Sequence, residues 1–202
     1  MNERKFSILD KGYIEVNRVD GCEQDIVNAA RVSHDSEGTE ASDKNLLKFL
    51  LKNNHNTPFR YAGYIFTVKL PIFVARQWMR HTLGSEFVEK SARYTEMTEY
   101  YVPDYLSEDE IGFMDNIMLE SFAAYDKLIE WNVAKESARM VLPVSTYTKF
   151  TWKVNIQALM HFLTLRLDTH AQREIREYAK VLYAIAYTDF PTILGGYDGK
   201  TF

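Results

Sequence analysis

Residues 76 to 94 read RQWMRHTLGSEFVEKSARY, gathering three arginines, a histidine, two serines and a lysine in one stretch. Such a set suits the capture of an anion. Arginine presents a planar fork matched to phosphate and to pyrimidine oxygens, and it stays charged when desolvated. Arg80 and Arg93 bracket a glycine- and serine-containing segment expected as a loop, an anion-binding concavity at a helix boundary. Arg166 and Arg176, with Gln77, Asn155 and Gln172, extend the donor set. A single arginine more often serves a surface ion pair, so the grouping carries the point.

The rest of the composition narrows the ligand. The 202 residues carry a formal net charge of -4, which lacks the basic footprint of a nucleic-acid or membrane-surface binder. Concentrated cations in an acidic chain point to a specific small anion. No G-x-G-x-x-G and no P-loop is present. His34, His55, His81, His161 and His170 are scattered, without H-E-x-x-H or C-x-x-C, so no metal site is expected. No G-x-S-x-G elbow supports a serine hydrolase. The single cysteine, Cys22, excludes an internal disulfide, has no activating cation beside it, and is expected to be partly buried. No apolar run approaches the roughly 20 residues of a membrane span, and the charged start lacks a signal-peptide core. A cytoplasmic location is expected.

The elements that must position these residues follow from periodicity. Residues 5–20 read as a hairpin about Asp10, Lys11 and Gly12, and 23–33 as a short helix. Residues 34–43 are expected as a loop, with Ser42 capping a helix over 43–53. The alternation of Tyr64, Phe66, Val68 and Leu70 predicts a strand. Pro71 opens a helix expected to run to His81 and to end near Gly84. Alternation over 93–102 predicts a second strand. Ser107 and Glu110 form a capping box for a long helix whose apolar positions are assigned to a core or a subunit interface. Two more helices follow, over 156–167 and 171–187, with an irregular tail. The whole is expected to be a single domain over 1–202 with an α+β fold, an antiparallel or mixed sheet joined to a large helical part.

RHTLGS at 80–85 followed by SARY at 91–94 resembles the signature of flavin-dependent thymidylate synthases, R-H-R-x-x-S followed closely by S-x-R-Y. AARVS at 29–33, HNTPF at 55–59, PIFVARQWMRH at 71–81, VLPVSTYTKF at 141–150 and LRLDTHAQREIREYA at 165–179 support it in order and spacing. The resemblance implies a homotetramer with active sites shared between subunits. It also implies FAD as cofactor, dUMP as substrate, and methylenetetrahydrofolate and NADPH as co-substrates. Carried over by motif, His55, Thr57, His81, Ser85, Arg166 and His170 would hold the flavin. Gln77, Arg80, Ser91, Arg93, Lys149 and Arg176 would hold the nucleotide, with Arg176 as the activating cation. Such an enzyme needs no cysteine nucleophile, in keeping with the lone Cys22.

The chain also departs from that pattern. Thr82 stands in place of the second signature arginine, Arg60 and Tyr61 where Glu-His is usual, Thr164 where asparagine is common, and Lys149 for an arginine. One extra residue lies between Ser85 and Ser91. Two other functions therefore remain open: a methylase or hydroxymethylase of another pyrimidine nucleotide, and a noncatalytic nucleotide-binding scaffold.

Overall fold

The computed structural model describes residues 4–34, 38–197 and 199. Alternating apolar residues build a five-stranded sheet from β1 (Lys5–Ile8), β2 (Gly12–Asp20), β3 (Gly63–Pro71), β4 (Ser85–Glu89) and β5 (Tyr147–Asn155). Its order is β1-β2-β3-β5-β4, and every pair is antiparallel. The helices are α1 (Glu23–Arg31), α2 (Glu40–Lys52), α3 (Ile72–Trp78), α4 (Glu108–Glu130), α5 (Lys135–Ala138), α6 (Ile156–Arg166), α7 (Arg173–Asp189) and α8 (Pro191–Gly195). The expected α+β class holds.

Period-two patterning makes the sheet two-faced. On β3, Tyr64, Phe66, Val68 and Leu70 are buried, and on β5 so are Phe150, Trp152 and Val154, while Lys149, Thr151 and Lys153 face out. Helices α3, α6 and α7 cover the apolar face. Trp78, at the end of α3, is fully buried at the centre of this layer, with ring centroids 5.1 Å from Trp152, 4.6 Å from Phe162 and 5.8 Å from Tyr178. Aromatic pairs at such separations add to the hydrophobic contribution of their burial.

Several boundaries differ from expectation. Helix α2 begins at Glu40 with Thr39 as its cap, and Ser42 is the third helical residue, donating from Oγ to the Thr39 carbonyl and accepting from the Thr39 N–H. Of the loop expected over 34–43, residues 35–37 lie outside the described residues. Helix α3 stops at Trp78, which leaves Arg80 and His81 beyond its end rather than on its face. Residues 93–102 form no strand; they meet the start of β5 through the bridge Tyr100 to Thr146 and the Tyr147 N–H donating to the Glu99 carbonyl at 2.8 Å, and Glu99 pairs with Lys69 of β3. The strand there is β4, in the segment expected as a loop, and β5 adds a strand to the half expected to be helical. On β5 the neighbouring edge is taken by β4, so the alternation at 93–102 has no ladder to join.

The capping box of α4 is present, Ser107 N–H donating to Glu110 Oε2 at 2.9 Å. Its apolar residues are less enclosed than a core assignment requires: Tyr125 is buried, but Phe113, Ile117 and Leu119 are exposed. Cys22 is exposed rather than partly buried. In the expected irregular tail, Gly195 closes α8, while 198 and 200–202 lie outside the described residues. Among the described residues, no helix is long and apolar enough to cross a membrane.

Candidate active site

The chain leaves α3 at Met79 and turns back so that His81 lies buried with its ring centroid 4.9 Å from Phe162 of α6. Arg166, the last residue of α6, donates from Nε to His81 Nε2 at 3.0 Å and from Nη2 to the Gln77 carbonyl at 2.9 Å. Burial, with Arg166 and His161 nearby, lowers the His81 pKa to about 4, and burial lowers that of Arg166. His81 is therefore neutral near pH 7, with Nε2 accepting and its proton assigned to Nδ1.

Gln77 extends the same junction. Its Nε2 donates to Gln172 Oε1 at 2.6 Å, joining α3 to the cap of α7. Arg176, one turn into α7, donates to the Thr169 carbonyl at 2.9 Å and keeps further donors for a ligand. Arg80 is exposed, and its guanidinium makes no hydrogen bond or ion pair with the described residues. His170 projects from the turn between α6 and α7 and bonds Asp168 at 2.8 Å.

Two clefts meet beside this junction. One, of about 470 Å³, is lined by Asn56, Arg60, Leu83, Gly84, Asn155, Gln157, Ala158 and His161. The other, of about 520 Å³, shares Arg60, Gly84 and Asn155 and adds Thr82, Ser85 and Lys153. Gly84 has φ +66°, and a Cβ there would stand 2.5 Å from Asn155 Nδ2, so the backbone closes on the helix cap as only glycine permits. Ser85 opens β4, and its Oγ accepts from Trp152 Nε1 at 3.0 Å. Thr57 opens the turn 57–61 and His55 lies two residues before it, both exposed, with His55 edge-on to Phe49 at a ring-centroid distance of 5.7 Å.

The remaining nucleotide candidates lie in a separate group. Ser91 lines a cleft of about 340 Å³ with Glu89, Lys90, Arg139 and Thr148. Arg93 is held by Glu136 at 2.9 Å and lies over the Tyr94 ring. Lys149 faces outward on β5, across from Lys69, and its carbonyl accepts the Lys90 N–H at 2.7 Å. The structure thus unites Gln77, His81 and Arg166, and places Ser91, Arg93 and Lys149 in another group along the β4–β5 edge.

Sequence reasoning missed Asn56, Gln157 and His161 in the first cleft. The spacing of Gln157 and His161, one helical turn apart, was a usable signal. It also missed Glu174, 1% exposed, which accepts from Tyr101 at 3.3 Å and Tyr105 at 2.9 Å. Among the described residues, no group of three His, Cys, Asp or Glu could hold a metal.

The family described as thymidylate synthase complementing protein matches residues 16–192. The chain belongs to the flavin-dependent thymidylate synthase family. It is 44% identical over 197 residues to the flavin-dependent thymidylate synthase of Thermosipho melanesiensis, covering 87% of this chain and 85% of that one. Identity to the Treponema denticola flavin-dependent thymidylate synthase is 38% over 221 residues, covering 97% and 82% of the two chains. A crystal structure of the UMP/dUMP methylase PolB from Streptomyces cacaoi, bound with 5-Br dUMP, superposes with TM-score 0.87 at 28% identity, covering 97% and 98%. In this flavin-dependent synthase family member, the signature residues 80–94 form a turn, a strand and a second turn.

Proposed function

We propose that the protein is a flavin-dependent thymidylate synthase, converting dUMP to dTMP with methylenetetrahydrofolate as carbon donor and NADPH as reductant. The observation that carries this is the junction at residues 77–81. Gln77 reaches the α7 cap near Arg176, while Arg166 ties the same turn to His81. Nucleotide-side and flavin-side residues therefore meet back to back.

The residues present fit a flavin. Asn56 Oδ1 is a buried acceptor without a partner among the described residues, and it lines a cleft whose wall carries the exposed apolar Leu83. Gly84, in the wall shared by both clefts, packs its backbone against Asn155 more closely than a residue with a Cβ could. His55, Thr57, His81, Ser85, Arg166 and His170 would hold FAD around these clefts. Bound flavin supplies the reducing equivalents that make the transferred methylene a methyl.

The protein's own part is electrostatic and positional. Carbon 5 of uracil is a weak nucleophile, and no thiolate adds to the ring here. Arg176, with donors left free, polarises the uracil oxygens and stabilises the charge that develops there. Neutral His81 holds its proton on Nδ1 and orders Arg166. Arg80, Ser91, Arg93 and Lys149 take the phosphate and ribose.

Ser91, Arg93 and Lys149 stand apart from Arg176, and this separation supports a homotetramer in which one subunit's cradle completes another's site. Exposed Phe113, Ile117 and Leu119 on α4 offer apolar surface for assembly. The enzyme would act in the cytoplasm.

The test supplies purified protein with FAD, NADPH and labelled methylenetetrahydrofolate, with dUMP and UMP in parallel. Labelled dTMP from dUMP is expected. Flavin bound without product from dUMP would defeat the proposal, and methylation of UMP alone would reassign the substrate.

A further inference from the structure

Arg60, on the turn 57–61, carries a charge that the fold does not use. Its Nε donates to Gln157 Oε1 at 2.6 Å, and its Nη groups find no acceptor among the described residues. Two acids line the larger cleft with it, Asp20, which pairs with Arg18, and Glu86, which stands opposite Lys153 in the ladder; neither bonds Arg60. Arg60 also forms a wall common to both clefts. In the larger cleft its neighbours include the hydroxyl residues Thr82 and Ser85. In the smaller, Asn56 is part of the wall, and its buried Oδ1 has no partner among the described residues.

The two positions where this chain exchanges charge against its family's usual pattern, 60 and 82, therefore lie on one cleft. We infer that Arg60 grips the diphosphate of the flavin dinucleotide, with Thr82 as a neutral donor beside it. The cation comes from the turn after α2 rather than from the signature stretch. This rests on the flavin function proposed above. A guanidinium with both Nη groups free presents a bidentate edge to phosphate oxygens, which a hydroxyl cannot replace.

The experiment is a fluorescence titration of the purified protein with FAD and with riboflavin, which has no diphosphate. Arg60→Gln should weaken FAD binding about tenfold or more, the scale of a lost charge-assisted hydrogen bond, and leave riboflavin within about twofold. Adding Thr82→Arg to Arg60→Gln should restore FAD affinity, giving a non-additive cycle. Arg60→Lys should recover part of the loss. Equal losses for both flavins, or unchanged FAD binding by Arg60→Gln, would overturn the assignment. So would a loss confined to methylenetetrahydrofolate, which would give the cation to a folate carboxylate. A wild-type protein that binds neither flavin would instead defeat the flavin function itself.

Discussion

Arg166 donates to His81 Nε2 at 3.0 Å, so a protonated His81 would face a cation with no acceptor to offer it. The His81 pKa falls from 6.5 to about 4, chiefly through burial. Between these values the unfolded chain binds a proton that the folded chain does not, so stability rises with pH across this window and falls on acidification. Melting temperature should decline as pH drops from 6.5 to 4. His81→Gln, which keeps an acceptor for Arg166, should flatten that decline; an equally steep curve would show that His81 is not its source.

Glu174 is buried, and its Oε1 accepts hydrogen bonds from the hydroxyls of Tyr101 and Tyr105. It latches the segment before α4 onto the start of α7, two residues from Arg176. Glu174→Ala leaves the buried Tyr101 hydroxyl without its acceptor and should cost roughly 2–4 kcal/mol in urea denaturation. Tyr101→Phe added to it should return about 1 kcal/mol, since the stranded donor is then gone.

Gly84→Ala should harm both the fold and the clefts. A left-handed non-glycine residue costs about 1–2 kcal/mol. The new Cβ also displaces Asn155, whose Oδ1 caps α6 by accepting the Ala158 N–H at 2.9 Å. A lost cap costs about 1 kcal/mol. Chemical denaturation should therefore show a loss of roughly 2–3 kcal/mol, accompanied by weaker flavin binding in a titration at low denaturant.

Shared active sites make a qualitative prediction. Arg93→Ala and Arg176→Ala should each be nearly inactive alone. Dissociating and reassembling an equal mixture should recover part of the activity, because some sites then draw both intact residues from different subunits. No recovery from mixed oligomers confirmed by mass spectrometry would place both residues in one subunit's site.

Legibility in the sequence tracked how local the determinants were. The α4 capping box and the alternation of β3 depend on neighbours a few residues away, and the structure has both where the sequence places them. The helix expected from Pro71 to His81 overshoots α3 because Gln77 and His81 keep helical spacing, whereas the Trp78 aromatic cluster anchors the chain and the turn past Met79 delivers His81 to Phe162. Strand β4 is short and mostly exposed, so its residues carry little hydrophobic signal; β5 supplies its ladder from far along the chain. The donor-rich stretch was recognisable as a ligand site. Its division into two groups depended on that unseen strand, and the role of Arg60 on cleft walls brought together by β3, β5 and α6.

Strand β4 also has a mechanical meaning. Ser85 at one end faces the Thr82 cleft, and Glu89 at the other lines the cleft of Ser91, so the ladder to β5 fixes the two about 13 Å apart. Within a paired strand, parity matters as much as length: removing one residue turns every later side chain to the opposite face. Evolution can therefore lengthen or shorten this spacer smoothly only in steps of two, and a single-residue change must be absorbed in the turns at its ends.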